Sequence, residues 1–158
     1  MDAWTIKALG LIDVERPANY LVLGYEPDPR LTVGAAHGLN ELCDFAPVAS
    51  AVHALRNTGE GHEFNPMGSV DALLEFAARD EPVRIVGFPA LLHAVLERME
   101  AMGVPCLDLP EGSLVLTGGG WKGHADRSIG RPQRIGVVPA VRVRDVPLSY
   151  HAAPLRVE

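Results

Sequence analysis

The sequence predicts an α/β fold: a partial, mostly parallel sheet flanked by helices. Two observations carry this. Between residues 69 and 120, segments with helical apolar spacing alternate with short apolar runs, in the order helix, strand, helix, strand. The runs "PVRIVGF" (82–88) and "SLVLT" (113–117) are also nearly continuous in apolar residues, the pattern of strands covered on both faces. Helices alternating with such strands pack on the faces of a parallel sheet.

The elements follow in order. "PANYLVLGY" (17–25) reads as a buried strand, with Gly24 near its end. "EPDPRL" is a turn, because Pro27 and Pro29 cannot continue a strand or a helix. "TVGAAHGLNELCDFA" (32–46) predicts a short helix, weakened by Gly34 and Gly38. "VASAVHALRN" (48–57) favours neither state strongly and is read as a strand entering the "NTGEG" turn. Ser69 is a good N-cap for "VDALLEFAARDE", whose apolar residues Val70, Leu73, Leu74 and Ala77 share one face. The β-branched run 82–88 follows as a strand. A helix over 89–103 comes next, with Pro89 in its first turn, a stripe of Leu92, Val95, Leu96 and Met99, and Gly103 at its end. "VPCLDLPEG" is a connection, and 113–120 is a strand running into "TGGGWKG". The tail, 124–158, has no amphipathic helix pattern. Prolines 132, 139, 147 and 154 punctuate it, and "RIGVV" and "AVRVRDV" alternate as strands do.

The chain has 158 residues, enough for one apolar core. It is 47 % hydrophobic and 22 % charged, the balance of a globular protein that meets water. No run approaches the ~18 apolar residues of a membrane helix. The opening "MDAWTIKALG" lacks the basic-then-apolar pattern of a secretory signal. Cys43 and Cys106 are too few for a disulfide framework or a cysteine-rich zinc site, and a reducing cytoplasm is the expected compartment. The net charge of −6 argues against nucleic acid as a partner. It divides unevenly: up to Trp121 there are 7 Lys/Arg against 17 Asp/Glu, and from Lys122 onward 7 against 3. The basic end reads either as a phosphate-facing surface or as a segment of different origin.

Glycines 118, 119 and 120, directly after a strand, let the backbone approach a ligand closely and turn its N–H groups toward an anion or an adenine edge. Lys122 would add a positive charge and Trp121 a flat surface. The loop matches neither GxxxxGK[ST] nor GxGxxG, so a tight structural turn is the competing reading. The other candidates are weaker. His93 falls on or near the apolar side of a helix and reads as a satisfied, partly buried residue, and His124 neighbours the glycine loop. His37 and Cys43 have no acid placed to complete a triad, so Cys43 reads as a small buried residue rather than a nucleophile. His62-Glu63 lacks the second histidine of HExxH, and no metal site is expected. Met67, Met99 and Met102 read as core.

Three blocks, "ALGLIDVERPANYLVLGYEPDP", "PVRIVGFPALLHAVLERMEAMG" and "LVLTGGGWKGHADRS", together resemble acyl-protein synthetases of the LuxE type, relatives of the phenylacetate-CoA-ligase branch of adenylate-forming enzymes. The resemblance covers about residues 8–130. It implies part of the large N-terminal domain of such an enzyme over 1–123, and a diverged or frame-shifted tail over 124–158. It also implies ATP-dependent activation of a fatty acid or other carboxylate to an acyl-adenylate, with Mg2+, and transfer of the acyl group to a protein thiol. An acyl-accepting protein or acyl-reductase would be the partner. By the same resemblance Gly118, Gly119 and Gly120 lie beside adenine and ribose, and Trp121 and Lys122 shape that pocket. The chain departs from the family in three places. A Ser/Thr/Gly-rich phosphate loop is expected before the first block, and a small C-terminal domain with the acyl-accepting cysteine after the last. "VVPAVRVRDVPLSY" stands where the family has an aromatic-Gly-x-x-Glu motif, and Asp145 inherits no role from it. The resulting alternative is a non-catalytic fragment, or one subunit of a split enzyme, that binds nucleotide weakly. Such a fragment should self-associate, or be completed by another chain, through exposed apolar sheet edges.

Overall fold

The structure, a computed structural model, describes residues 13–31, 43 and 46–118, and the backbone of 141–143. Five strands form one sheet in the order β3-β2-β1-β4-β6. They are β1 (Ala18–Tyr25), β2 (Val48–Asn57), β3 (His62–Phe64), β4 (Val83–Gly87) and β6 (Leu114–Thr117). The two helices are α1 (Pro66–Ala77) and α2 (Pro89–Ala101). Strand β1 runs parallel to β2 and β4, and β4 runs parallel to β6; only the hairpin partner β3 is antiparallel. The α/β architecture and the mostly parallel sheet therefore stand. The helix expected over 32–46 lies, except for Cys43 and Ala46, outside the described residues.

Strand β1 is central because its sequence suits no edge. Residues 18–23 are wholly buried, and so is all of β4. Tyr20 sits in register between Ala51 of β2 and Arg84 of β4, and Leu21 between Val52 and Ile85. Alternate residues serve opposite faces. Leu21, Leu23, Val83 and Ile85 point to the side where both helices pack, meeting Val70, Leu73 and Phe76 of α1 and Leu92, Val95 and Met99 of α2. Ala18, Tyr20, Val22 and Val86 form a second buried cluster, with Cys43 and Leu116 packed against it.

Helix α1 starts one turn earlier than Ser69 predicts. Asn65 is the N-cap, its side-chain oxygen accepting from the Gly68 amide at 2.9 Å, and Pro66 opens the helix, where a missing N–H costs nothing. Ser69, fully buried, donates its hydroxyl to the Asn65 carbonyl at 2.9 Å, so this good capping residue is satisfied inside the helix instead. Gly68 leaves room for this cap: a Cβ would lie 2.3 Å from the Asn65 side-chain nitrogen and displace the capping amide. The buried face consists of Ser69, Val70, Ala72, Leu73 and Phe76, while Leu74 is 38 % exposed. The helix stops at Ala77, short of the Arg79-Asp80-Glu81 run, and Arg79 folds back onto Glu75.

Helix α2 matches expectation at its start and along its stripe. It closes with the Gly103 and Val104 amides donating to Glu100 and Met99 carbonyls, at 2.9 Å each. Of the three methionines read as core, Met99 is core, Met102 is 43 % exposed, and Met67 is half-buried with its sulfur facing Arg98. Met102 is past the end of the helical stripe, which is why it does not reach the core. The segment read as a plain connection contains a short strand, β5 (Leu107–Leu109), paired in parallel with β7 (Val141–Val143). Strand β7 falls in the alternating stretch "AVRVRDV" and ties 107–109 to the tail across the division at 123. The large exposed apolar side chains among the described residues are Val48, Leu74 and Met102.

Gly87 ends β4 at φ +130, where a Cβ would stand 2.4 Å from the Leu23 carbonyl oxygen. Gly87→Ala should lower unfolding free energy by more than about 2 kcal/mol in urea titrations, through strain and backbone clash together. Gly61→Ala, with nothing within 4 Å of its Cβ, is the control and should be near neutral. Equal stability of the two variants would contradict the pairing of β4 with β1 at Leu23.

Candidate functional site

The chain passes from β1 to β2 on one side, and from β3 through α1 it crosses back to β4 on the other side of β1. At such a reversal the loops diverge, and a crevice opens beyond the carboxyl ends of the strands. Here that edge is formed by Tyr25 and Glu26 after β1, Asn57 after β2, Gly87 and Phe88 after β4, and Thr117 and Gly118 after β6. The Phe88 amide donates to the Leu23 carbonyl at 2.9 Å, and the Gly118 amide to the Gly87 carbonyl at 3.0 Å. The first glycine of the run is thus fastened to the end of β4. No described residue lies within 4 Å of a Cβ built on Gly118. Gly119, Gly120, Trp121 and Lys122, with His37 and His124, lie outside the described residues.

Beside this edge stands a polar group that the sequence pattern does not assemble. The Glu26 carboxylate accepts the Asn57 amide at 2.7 Å, and the His62 Nε2–H donates to the Glu26 carbonyl at 2.8 Å. A carbonyl can only accept, so the neutral His62 ring carries its proton on Nε2. Tyr25 meets His62 edge-on at 5.2 Å between ring centroids, and Phe88 at 6.4 Å. The row His62–Tyr25–Phe88 spans the edge from β3 to the start of α2. The signal for it is faint: Tyr25 and His62 are far apart in sequence, and only the pairing of β2 with both β1 and β3 joins them.

His53 of β2 pairs with Val22, on the sheet face away from the helices. Burial pushes its imidazole below the ordinary 6.5, against an upward pull from the Glu26 carboxylate. His93, half-buried, pairs with Glu97 one helical turn on, at 3.2 Å, as the satisfied residue the sequence suggests. Cys43 is half-buried against the Tyr20 cluster, and neither it nor Cys106 is in a disulfide. Among the described residues no three His, Cys, Asp or Glu side chains gather as a metal site, and no helix is long and apolar enough to cross a membrane. At the opposite, amino-terminal edge of the sheet, Arg16, Arg79, Asp80, Asp108 and Glu111 line a shallow depression of mixed charge.

Comparison of the chain with protein-family models, with curated proteins and with solved structures finds no match. The likeness to acyl-protein synthetases therefore rests on the three sequence blocks alone.

The folded His53 ring binds its proton less tightly than the unfolded one, so unfolding takes up protons. Stability should rise with pH through the region just below 6.5 and level off above it. Urea midpoints taken between about pH 5.5 and 7.5 should climb in the parent chain. They should climb less in His53→Gln; equal slopes would remove His53 as the cause.

Proposed function

We propose that this chain is an adenine-nucleotide-binding unit of the acyl-protein synthetase type, holding the nucleotide over Gly118, Gly119 and Gly120 with Trp121 and Lys122 beside it. One observation supports the reading most: the glycine run starts at the carboxyl end of a parallel strand, fastened through Gly118 to Gly87, next to the reversal of strand order. A flat base needs bare backbone beside it, and no described residue crowds a Cβ built on Gly118. The resemblance adds ATP as the nucleotide and a fatty acid or other carboxylate as the second substrate, with a protein thiol as acceptor. ATP would supply the phosphoanhydride whose cleavage activates the carboxylate.

The chain's own part in this reading is binding and orientation. Among the described residues no three His, Cys, Asp or Glu side chains gather to hold magnesium. The stretch 137–150 replaces the family's aromatic-Gly-x-x-Glu motif, and its centre is strand β7. Charge stabilisation at the phosphates is most of adenylation chemistry, and that acid is its family source. The reading is therefore of a binding unit, with catalysis completed elsewhere.

Isothermal titration calorimetry with AMP and ATP should show saturable binding that Lys122→Ala weakens about tenfold, or about 1.4 kcal/mol. The purified chain, given a fatty acid and Mg2+, should not exchange pyrophosphate into ATP. Absence of nucleotide binding would end the nucleotide reading, and measurable exchange would overturn the assignment as a binding unit alone.

A further inference from the structure

On one side, strand β2 pairs with β1 from Val48 to Leu55. On its other side β3 reaches only Leu55, Arg56 and Asn57. The Ala54 carbonyl accepts the Asn65 amide at 2.8 Å, which extends that cover by one residue. Among the described residues no strand pairs with the outer edge of Val48–His53. Val48, Ala49 and Ala51 are exposed, Val48 by 47 %. The run holds no Lys, Arg, Asp, Glu or Pro, the residues that keep an edge from pairing. Backbone N–H and C=O groups left in a row on such an edge are a template for another strand.

The residues of the run indicate which strand it fits. Val48-Ala49-Ser50-Ala51-Val52 reads the same in both directions. Two copies set antiparallel about a two-fold axis at Ser50 therefore place Val opposite Val, Ala opposite Ala and Ser opposite Ser. Matched uncharged pairs stabilise a sheet, whereas like charges directly opposite destabilise it. A two-fold interface requires one patch that complements itself, and this run does. Charge agrees with that direction. In the sequence Asp44 and Arg56 stand equally far before and after Ser50, so antiparallel pairing brings the acidic end of one run toward the basic end of the other. We propose that the outer edge of β2 pairs with the same edge of a second copy of this chain, joining two five-stranded sheets into one. So short a contact buries less than the about 1,600 Å² of a standard interface, so the dimer is weak and depends on concentration. This inference rests on β2 and not on the nucleotide reading, so it is tested without nucleotide.

Sedimentation velocity of the full chain provides the test. The parent should pass from monomer to dimer as its concentration rises. Ala51 is exposed, and the two-fold sets it diagonally across from Ala51 of the second copy. Ala51→Lys and Ala51→Glu should each weaken dimerisation at least tenfold, with urea midpoints equal to the parent's. An equimolar mixture of the two variants should restore the dimer, because unlike charges then meet. In a chain carrying Cys43→Ser and Cys106→Ser, Ser50→Cys lies on the axis and should form an intermolecular disulfide faster than Ala51→Cys. A parent that stays monomeric, a dimer indifferent to Ala51→Lys, a mixture that stays monomeric, or faster cross-linking through Ala51→Cys would each overturn the proposal. Should the variants not fold, hydrogen exchange of the parent decides. Amides between Ala49 and His53 must exchange more slowly as concentration rises, and exchange independent of concentration overturns the proposal.

Discussion

Residues 18–23 of β1 are buried on both faces, so their backbone N–H and C=O groups can be satisfied only by a strand on each side. Strands β2 and β4 meet that demand, both in parallel. Parallel pairing in turn requires crossovers, and α1 and α2 supply helices to one face of the sheet. The core then forms where Leu21, Leu23, Val83 and Ile85 meet the apolar faces of the two helices. Strand order, helix placement and the larger core all follow from one strand that cannot sit at an edge.

The same constraint fixes where chemistry can happen. With β2 on one side of β1 and β4 on the other, the carboxyl ends of the strands face diverging loops, and the glycine run begins there. Gly87 is the hinge of this edge. Its positive φ and its approach to the Leu23 carbonyl let the chain turn from β4 into α2, and its own carbonyl then receives Gly118. The aromatic row from His62 to Phe88 closes the neighbouring stretch of the edge, and the Glu26 carboxylate ties β1 to the end of β2.

Much of this was legible in the sequence, for definable reasons. Near-continuous apolar runs identified β1 and β4, where double-sided burial leaves no polar alternation, and also β6, although the structure leaves that strand half-buried at the sheet edge. The α2 stripe was legible because Leu92, Val95 and Met99 repeat at the helical period. The start of α1 was not, because Asn65 and Ser69 are both good capping residues, and the choice between them depends on Gly68 leaving room for the Asn65 side chain. Strand β5 was hidden by its length, since three residues carry no period, and its partner β7 is far along the chain. The row of Tyr25, His62 and Phe88 depends on strand pairing alone. Arg84 stands as a charge inside "PVRIVGF", but its burial at 2 % exposure follows only from the pairing of β4 between β1 and β6.

The proposed function rests on the glycine run at the carboxyl edge of the sheet. The central claim is that the carboxyl edge beside the β1–β4 reversal is where nucleotide binds. Backbone amide chemical shifts of the 15N-labelled chain, followed during titration with AMP, test it most directly. The largest changes should fall on Gly87, Phe88, Thr117 and Gly118. Changes centred on Arg16, Asp80 and Asp108 at the opposite edge, or none at all, would contradict it.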